Sequence, residues 1–151
     1  MKKILNNPYL NLIARMLVAW VFIYAAIGKI TDPQTFAKEI SNYALMPLFS
    51  INIIALILPW LELFTGVLLA SGVRIRTNAI ISGGLLLVFV ILVLSAMVRG
   101  LNINCGCFSH KIVYVGWKKV LENSGLIILC VYLFFLPVKK FSLERFLVNE
   151  E

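Results

Sequence analysis

The chain has 151 residues, 61% of them hydrophobic and only 14% charged, with a formal net charge of +7. An ordinary soluble domain is about 25% charged, and a core of this size cannot hide so large an apolar fraction, so a water-soluble globular protein is excluded. The basic residues sit at the ends of apolar runs and form no stripe; they match anionic lipid headgroups, with no nucleic acid as partner.

Lys2 and Lys3 precede the first apolar run, residues 10–28. Arg15 and Lys29 are foreign to a cleaved secretory signal, so the run is read as a membrane span. Further spans are expected over 51–71 and 78–98, and a fourth over 117–138. About 20 residues at 1.5 Å rise cover a hydrocarbon core of roughly 30 Å. The fourth run has a polar entrance of Lys118, Lys119, Glu122 and Asn123; Trp117, Val120, Leu121 and Ser124 share a face there, which predicts an interfacial turn that then inserts.

Between the first two spans, Asp32 followed by Pro33 is a helix start: a capping carboxylate, then a residue whose missing N–H costs nothing in a first turn. Phe36, Ile40, Tyr43 and Ala44 follow at helical spacing, so an amphipathic interfacial helix is expected over 33–46, ended by Pro47. The expected fold is therefore all-α, a single membrane-embedded four-helix bundle with one short interfacial helix. Four spans put both termini on one side. Seven basic residues fall on that side and six on the other. The arginine turn of Arg74 and Arg76 and the Lys2 and Lys3 flank favour cytoplasmic termini and an external loop after the third span.

That loop holds Cys105-Gly106-Cys107, two of the three cysteines. Gly106 frees the backbone to turn the thiols toward each other, and a disulfide across one residue is hard to make ideal. Strained, accessible disulfides are the exchange-prone kind. Three readings stand: a redox couple, a structural staple, or a metal site of Cys105, Cys107 and His110 that has only three ligands at unusual spacing. Cys130, deep in the fourth run, is read as a packing residue.

Charges inside the spans form a second constellation. Arg15, Phe22 and Lys29 are spaced by seven and share one helix face, expected to be the bundle interior. Glu62 lies mid-span in the second run. An unpaired charge there costs at least about 2.5 to 3.5 kcal/mol, so an Arg15 to Glu62 pair is predicted. Lys29 and Arg99 are expected at the membrane surface that bears the cysteine loop, where a cation favours thiolate; the alternative for Lys29 is snorkelling to the headgroups. Pro59 and Trp60 predict a local kink ahead of Glu62, and Gly66, Gly83 and Gly84 predict close helix packing.

These residues together resemble the DoxX-like membrane proteins, and within them the MauE branch. The resemblance runs from Arg15 through the stretch AAIGKITDPQTFAKEISNYALMP, with Lys29, Asp32, Pro33 and Phe36, to PWLELFTG, with Pro59, Glu62 and Gly66, then CGCF and GWKKVLEN. Ser109 departs from the glycine usual after CGCF. The resemblance implies a redox-associated protein of the bacterial inner membrane that helps disulfide formation or maturation of exported proteins, with thioredoxin-like partners. Cys105 and Cys107 are then the redox pair, passing electrons through a partner or to a quinone near Trp60 and Glu62. The competing readings are a non-enzymatic scaffold subunit with a structural disulfide, and a transporter or metal-handling protein built on Glu62 and Arg15.

Overall fold

Helices begin where the sequence replaces missing backbone partners. Asn7 accepts the Tyr9 N–H at 3.1 Å with Pro8 following, and Asp32 accepts the Thr35 N–H at 3.0 Å ahead of Pro33. The protein is seen in a computed structural model that describes residues 7–44, 47–100 and 116–136. Among these residues the chain is all-helical: α1 (Pro8–Thr31), α2 (Pro33–Asn42), α3 (Leu48–Ser71), α4 (Ile75–Val98) and α5 (Trp117–Phe135).

Three stretches, Pro8–Thr31, Phe49–Ser71 and Ile75–Val98, are long and apolar enough to cross a membrane. They contain the first three expected spans, each beginning two or three residues before its apolar run, whereas the helix in the fourth, expected over 117–138, covers Trp117–Phe135 and is not among the three. α2 is shorter than expected. It ends at Asn42 because the Tyr43 and Ala44 N–H groups turn back to Ile40 and Ser41, and Ala44 takes a left-handed φ of 49°. At the end of the helix expected over 33–46, Tyr43 and Ala44 therefore form a tight turn, and residues 45 and 46 lie outside the described residues.

α3 runs unbroken through Pro59. It stops at Gly72, whose φ of 77° lets the Val73 N–H reach back to Leu68 O at 3.1 Å, the left-handed closure that glycine makes without strain. The Asn78 side chain seals the turn by donating to Val73 O at 2.7 Å.

α1 packs antiparallel against α3, and α4 against α5, the two most extensive contacts in the structure. Arg15 meets Ala70 at one end of the first pair and Lys29 meets Glu62 toward the other. Asn11 donates to Leu136 O at 2.7 Å, which ties the start of α1 to the end of α5. One end of the bundle thus gathers the α1 start, the α3 end and the α5 end. α2 lies at the opposite end, where Arg99 at the close of α4 donates to Tyr43 O at 2.7 Å.

Polarity is distributed inside-out. Trp20, Leu56, Phe64 and Ile80 are all more than half exposed, while Asn11, Arg15, Thr65, Asn78 and Ser82 are buried. Lipid reverses the soluble rule: the apolar side chains face the solvent and the polar ones find partners within the protein. The start of α5 follows the same rule: Trp117 and Leu121, which share a face, are about 70% exposed, and Lys119 and Asn123 turn inward.

Gly66 is where α3 meets α1 most closely. A Cβ there would stand 2.9 Å from Ile23 Cγ1 and 3.2 Å from Ala19 O, whereas Gly84 has open space around it. Gly66→Leu is therefore expected to lower stability by about 1 to 3 kcal/mol, the usual range for overpacking, while Gly84→Ala leaves it unchanged. Thermal unfolding of both variants in detergent is the check, and equal midpoints would contradict this packing.

Candidate functional site

The side chain of Glu62 projects from the middle of α3 toward α1. It meets Lys29, whose Nζ lies 2.7 Å from Oε1 and 2.8 Å from Oε2, with side-chain exposures of 5% and 13%. The Lys29 ammonium also stands 4.9 Å from the centre of the Phe36 ring on α2, a distance at which the ring face attracts a cation. One lysine thereby links α1 to both α2 and α3.

The Arg15 to Glu62 pair expected from the sequence is not formed. Arg15 lies about four turns from Lys29 toward the other end of α1, and its Nη2 donates to Ala70 O at 3.3 Å near the α3 C-terminus. That is a favourable place for a cation, because the last carbonyls of a helix carry partial negative charge. Lys29 is buried rather than snorkelled. The shared face of Arg15, Phe22 and Lys29 is the interior one, each being no more than 4% exposed.

A cavity of about 520 Å³ lies between the α1/α3 and α4/α5 pairs, and α2 contributes to its wall. Its walls are mostly apolar, with Phe22, Leu58, Leu86 and Phe89 among them, and polar side chains come from Lys29, Glu39, Tyr43, Glu62, Lys119, Glu122 and Asn123. Lys119 Nζ meets Glu122 Oε2 at 2.6 Å. Trp60, expected beside Glu62 at a ligand site, faces outward and is about half exposed.

Sequence reasoning missed Glu39, Lys119 and Asn123 as members of this site. A signal existed. Glu39 is three residues from Phe36 and four from Tyr43, on the same buried stripe, and Asn123 is four from Lys119 and seven from Cys130. Burial pushes the Glu39 carboxyl above its ordinary value; the Lys29 charge opposes this and Asp32 adds to it. Burial, and then Glu39, push the Tyr43 phenol up to about 12.

Cys130 is a buried free thiol whose Cβ lies 3.4 Å from where a Gly83 side chain would begin, the packing role expected of it. Cys105, Cys107 and His110 lie outside the described residues. Among the described residues no cluster of His, Cys, Asp and Glu has a metal-binding arrangement. Arg99, which with Gly100 closes the described chain ahead of the cysteine segment, and Lys119, in the first turn of α5 after it, belong to the bundle end that carries α2 and the charged part of the cavity.

Apolar helices turned toward lipid and polar groups gathered on an internal cavity define a multi-pass helical membrane protein. The chain belongs to the MauE family: the family described as methylamine utilisation protein MauE matches residues 7–136. It is 33% identical to the methylamine utilization protein MauE of Methylorubrum extorquens over 82% of this chain and 67% of that protein. Identity to the MauE of Methylophilus methylotrophus is 29%, over 92% of this chain and 75% of that one. Protein TlpB of Flavobacterium psychrophilum is 31% identical over 95% of this chain, which spans only 41% of TlpB. No solved structure matches.

Removing one member of a buried ion pair leaves an uncompensated charge, which typically costs about 3 to 5 kcal/mol. Lys29→Met and Glu62→Met are each expected to lower the unfolding midpoint sharply, and the two combined to recover much of the loss. A double variant no better than either single one would show that the two charges are not coupled. Glu39 sets a pH dependence of opposite sign to an ordinary salt-bridged carboxylate. With its native pKa raised, the folded state holds a proton that the unfolded state releases as pH climbs past 4.5, so this contribution is full below that value and is lost as pH rises through the native pKa. Glu39→Gln is expected to flatten the decline in a series of thermal midpoints against pH.

Proposed function

We propose that this protein is a thiol-disulfide redox protein of the bacterial inner membrane, with Cys105 and Cys107 as its exchanging pair. Four helices, α1, α3, α4 and α5, cross the bilayer in this reading. α2 lies in the interface on the outer side, the termini are cytoplasmic, and the DoxX-like proteins are its wider kin. The observation that carries the reading is the placement of Arg99 and Lys119 on either side of the cysteine segment. Both belong to the bundle end that holds α2, Lys29 and the charged part of the cavity. Cations near a thiol favour its thiolate, the form that exchanges.

The exchange is balanced within the two proteins that meet. A thiolate of an exported protein or of a thioredoxin-like partner attacks one sulfur of the Cys105–Cys107 disulfide and displaces the other as a thiolate. The partner's second thiol then resolves the mixed disulfide. The partner gains a disulfide, and Cys105 and Cys107 become a dithiol carrying two electrons and two protons. Lys29, Glu62, Arg15 and Arg99 position the helices that present the pair. Four of the relatives are named for methylamine utilization; in this reading the chain serves such a process by maturing an exported protein.

Mass-tagging of free thiols in purified protein across glutathione buffers tests the reading. A reversible midpoint for Cys105 and Cys107 between about −120 and −270 mV, the span of known exchange catalysts, is the expected result. A pair that stays oxidised below about −300 mV is a structural staple, and a pair that never oxidises overturns the redox role. Cys130→Ser is expected to leave the midpoint unchanged, because that thiol is 2% exposed in the core.

A further inference from the structure

An exchange centre that oxidises its clients must itself be reoxidised, and the described residues contain a second polar feature that bears on how. Asn123 is 9% exposed, lines the cavity, and its side-chain Nδ2 finds no acceptor among the described residues. A buried amide donor left without an acceptor costs free energy, so the cavity is complementary to a ligand that brings a hydrogen-bond acceptor such as a carbonyl oxygen. Its volume of about 520 Å³ falls in the roughly 300 to 1,000 Å³ range that encloses a small organic molecule.

The remaining walls narrow the ligand's chemistry. Phe22, Phe36 and Phe89 supply aromatic surface, and Leu85, Leu86 and Leu126 supply aliphatic surface. The cavity is not sealed, since Val88 is 55% exposed and Glu122 is also exposed at its edge. Val88 belongs to a helix long and apolar enough to cross a membrane, so a ligand dissolved in the lipid has a route in. A molecule with ring carbonyls, a flat apolar body and membrane solubility satisfies these constraints together.

We propose that this cavity binds a membrane-soluble quinone, with the Asn123 amide donating to a ring carbonyl and the Lys29–Glu62 pair forming the polar wall of the site. The inference rests on the thiol-disulfide reading for its consequence. The Cys105 and Cys107 thiols give up two electrons and two protons and close to a disulfide, and the quinone takes the same two electrons and two protons to become a quinol. Electrons then pass from client thiols to the cysteine pair and on to the quinone pool, with one cysteine pair sufficient for both steps.

The experiment measures saturable binding of 2,3-dimethyl-1,4-naphthoquinone, whose substituted ring carbons resist thiol addition, to the full chain in phosphatidylcholine vesicles, with protein-free vesicles as the blank. Wild type and the Cys105→Ser/Cys107→Ser variant are expected to bind alike, because the site contains neither cysteine. Asn123→Ala is expected to weaken binding roughly three- to tenfold, the loss of one hydrogen bond. Leu126→Trp, which places an indole in the cavity, is expected to abolish it; this second variant keeps the test decisive if Asn123→Ala does not fold.

Uptake no greater than the blank, or equal in wild type and both cavity variants, overturns the site; so does a cavity that retains only phospholipid. The two readings separate cleanly. Saturable binding by a protein whose Cys105 and Cys107 show no reversible midpoint in glutathione buffers keeps the site and removes the thiol-disulfide role. A reversible couple without saturable binding does the opposite, and both together without reduction of the quinone by the dithiol protein overturn the electron transfer.

Discussion

A lysine and a glutamate buried within a membrane bundle must find each other, and much of this structure follows from that requirement. Neither charge is tolerable alone in hydrocarbon, so the Lys29–Glu62 contact sets the register of α1 against α3. The same register sets Gly66 in the narrow gap beside Ala19 and Ile23. Close packing and charge pairing therefore select the same arrangement. Agreement between independent local constraints is what gives a sequence one structure.

The pair also shapes what lies beside it. α2 is held over this end by Phe36 against the Lys29 ammonium and by Arg99 on the Tyr43 carbonyl. With α2 in place, Glu39 comes to line the same cavity as Lys29 and Glu62, and α5 adds Lys119, Glu122 and Asn123. Polar groups from four helices thus converge on one space between the two antiparallel pairs. At the other end the polar contacts are structural: Arg15 meets the closing carbonyls of α3, and Asn11 ties α1 to the end of α5. The two ends differ in kind, one occupied by caps and ties, the other left with a cavity.

Glu39 and Asn123 show why part of the site was hard to read. In a soluble helix a polar residue on an apolar stripe is an anomaly; in this protein it marks the inward face, because lipid takes the apolar side chains. At the start of α5 the same rule holds, with Trp117 and Leu121 on the outer surface and Lys119 and Asn123 turned inward. For Arg15 the error was one of distance along the helix. It shares a face with Lys29 but lies fourteen residues away, about 21 Å at 1.5 Å per residue, so only one of them could reach Glu62.

From the sequence alone came the membrane environment, the three long apolar helices, the capped start of α2, the inward face of α1 and the packing role of Cys130. Each depends on a local property: apolar run length, a capping side chain before proline, a seven-residue spacing, or a small thiol within an apolar segment. The tertiary structure decided which cation holds Glu62, where α2 ends, which face of α5 turns inward, and that a cavity lies between the helix pairs. Those outcomes depend on the relative offset and rotation of helices distant in the chain, which no local pattern encodes, because the low dielectric between them rewards only the pairings that three-dimensional packing brings within reach.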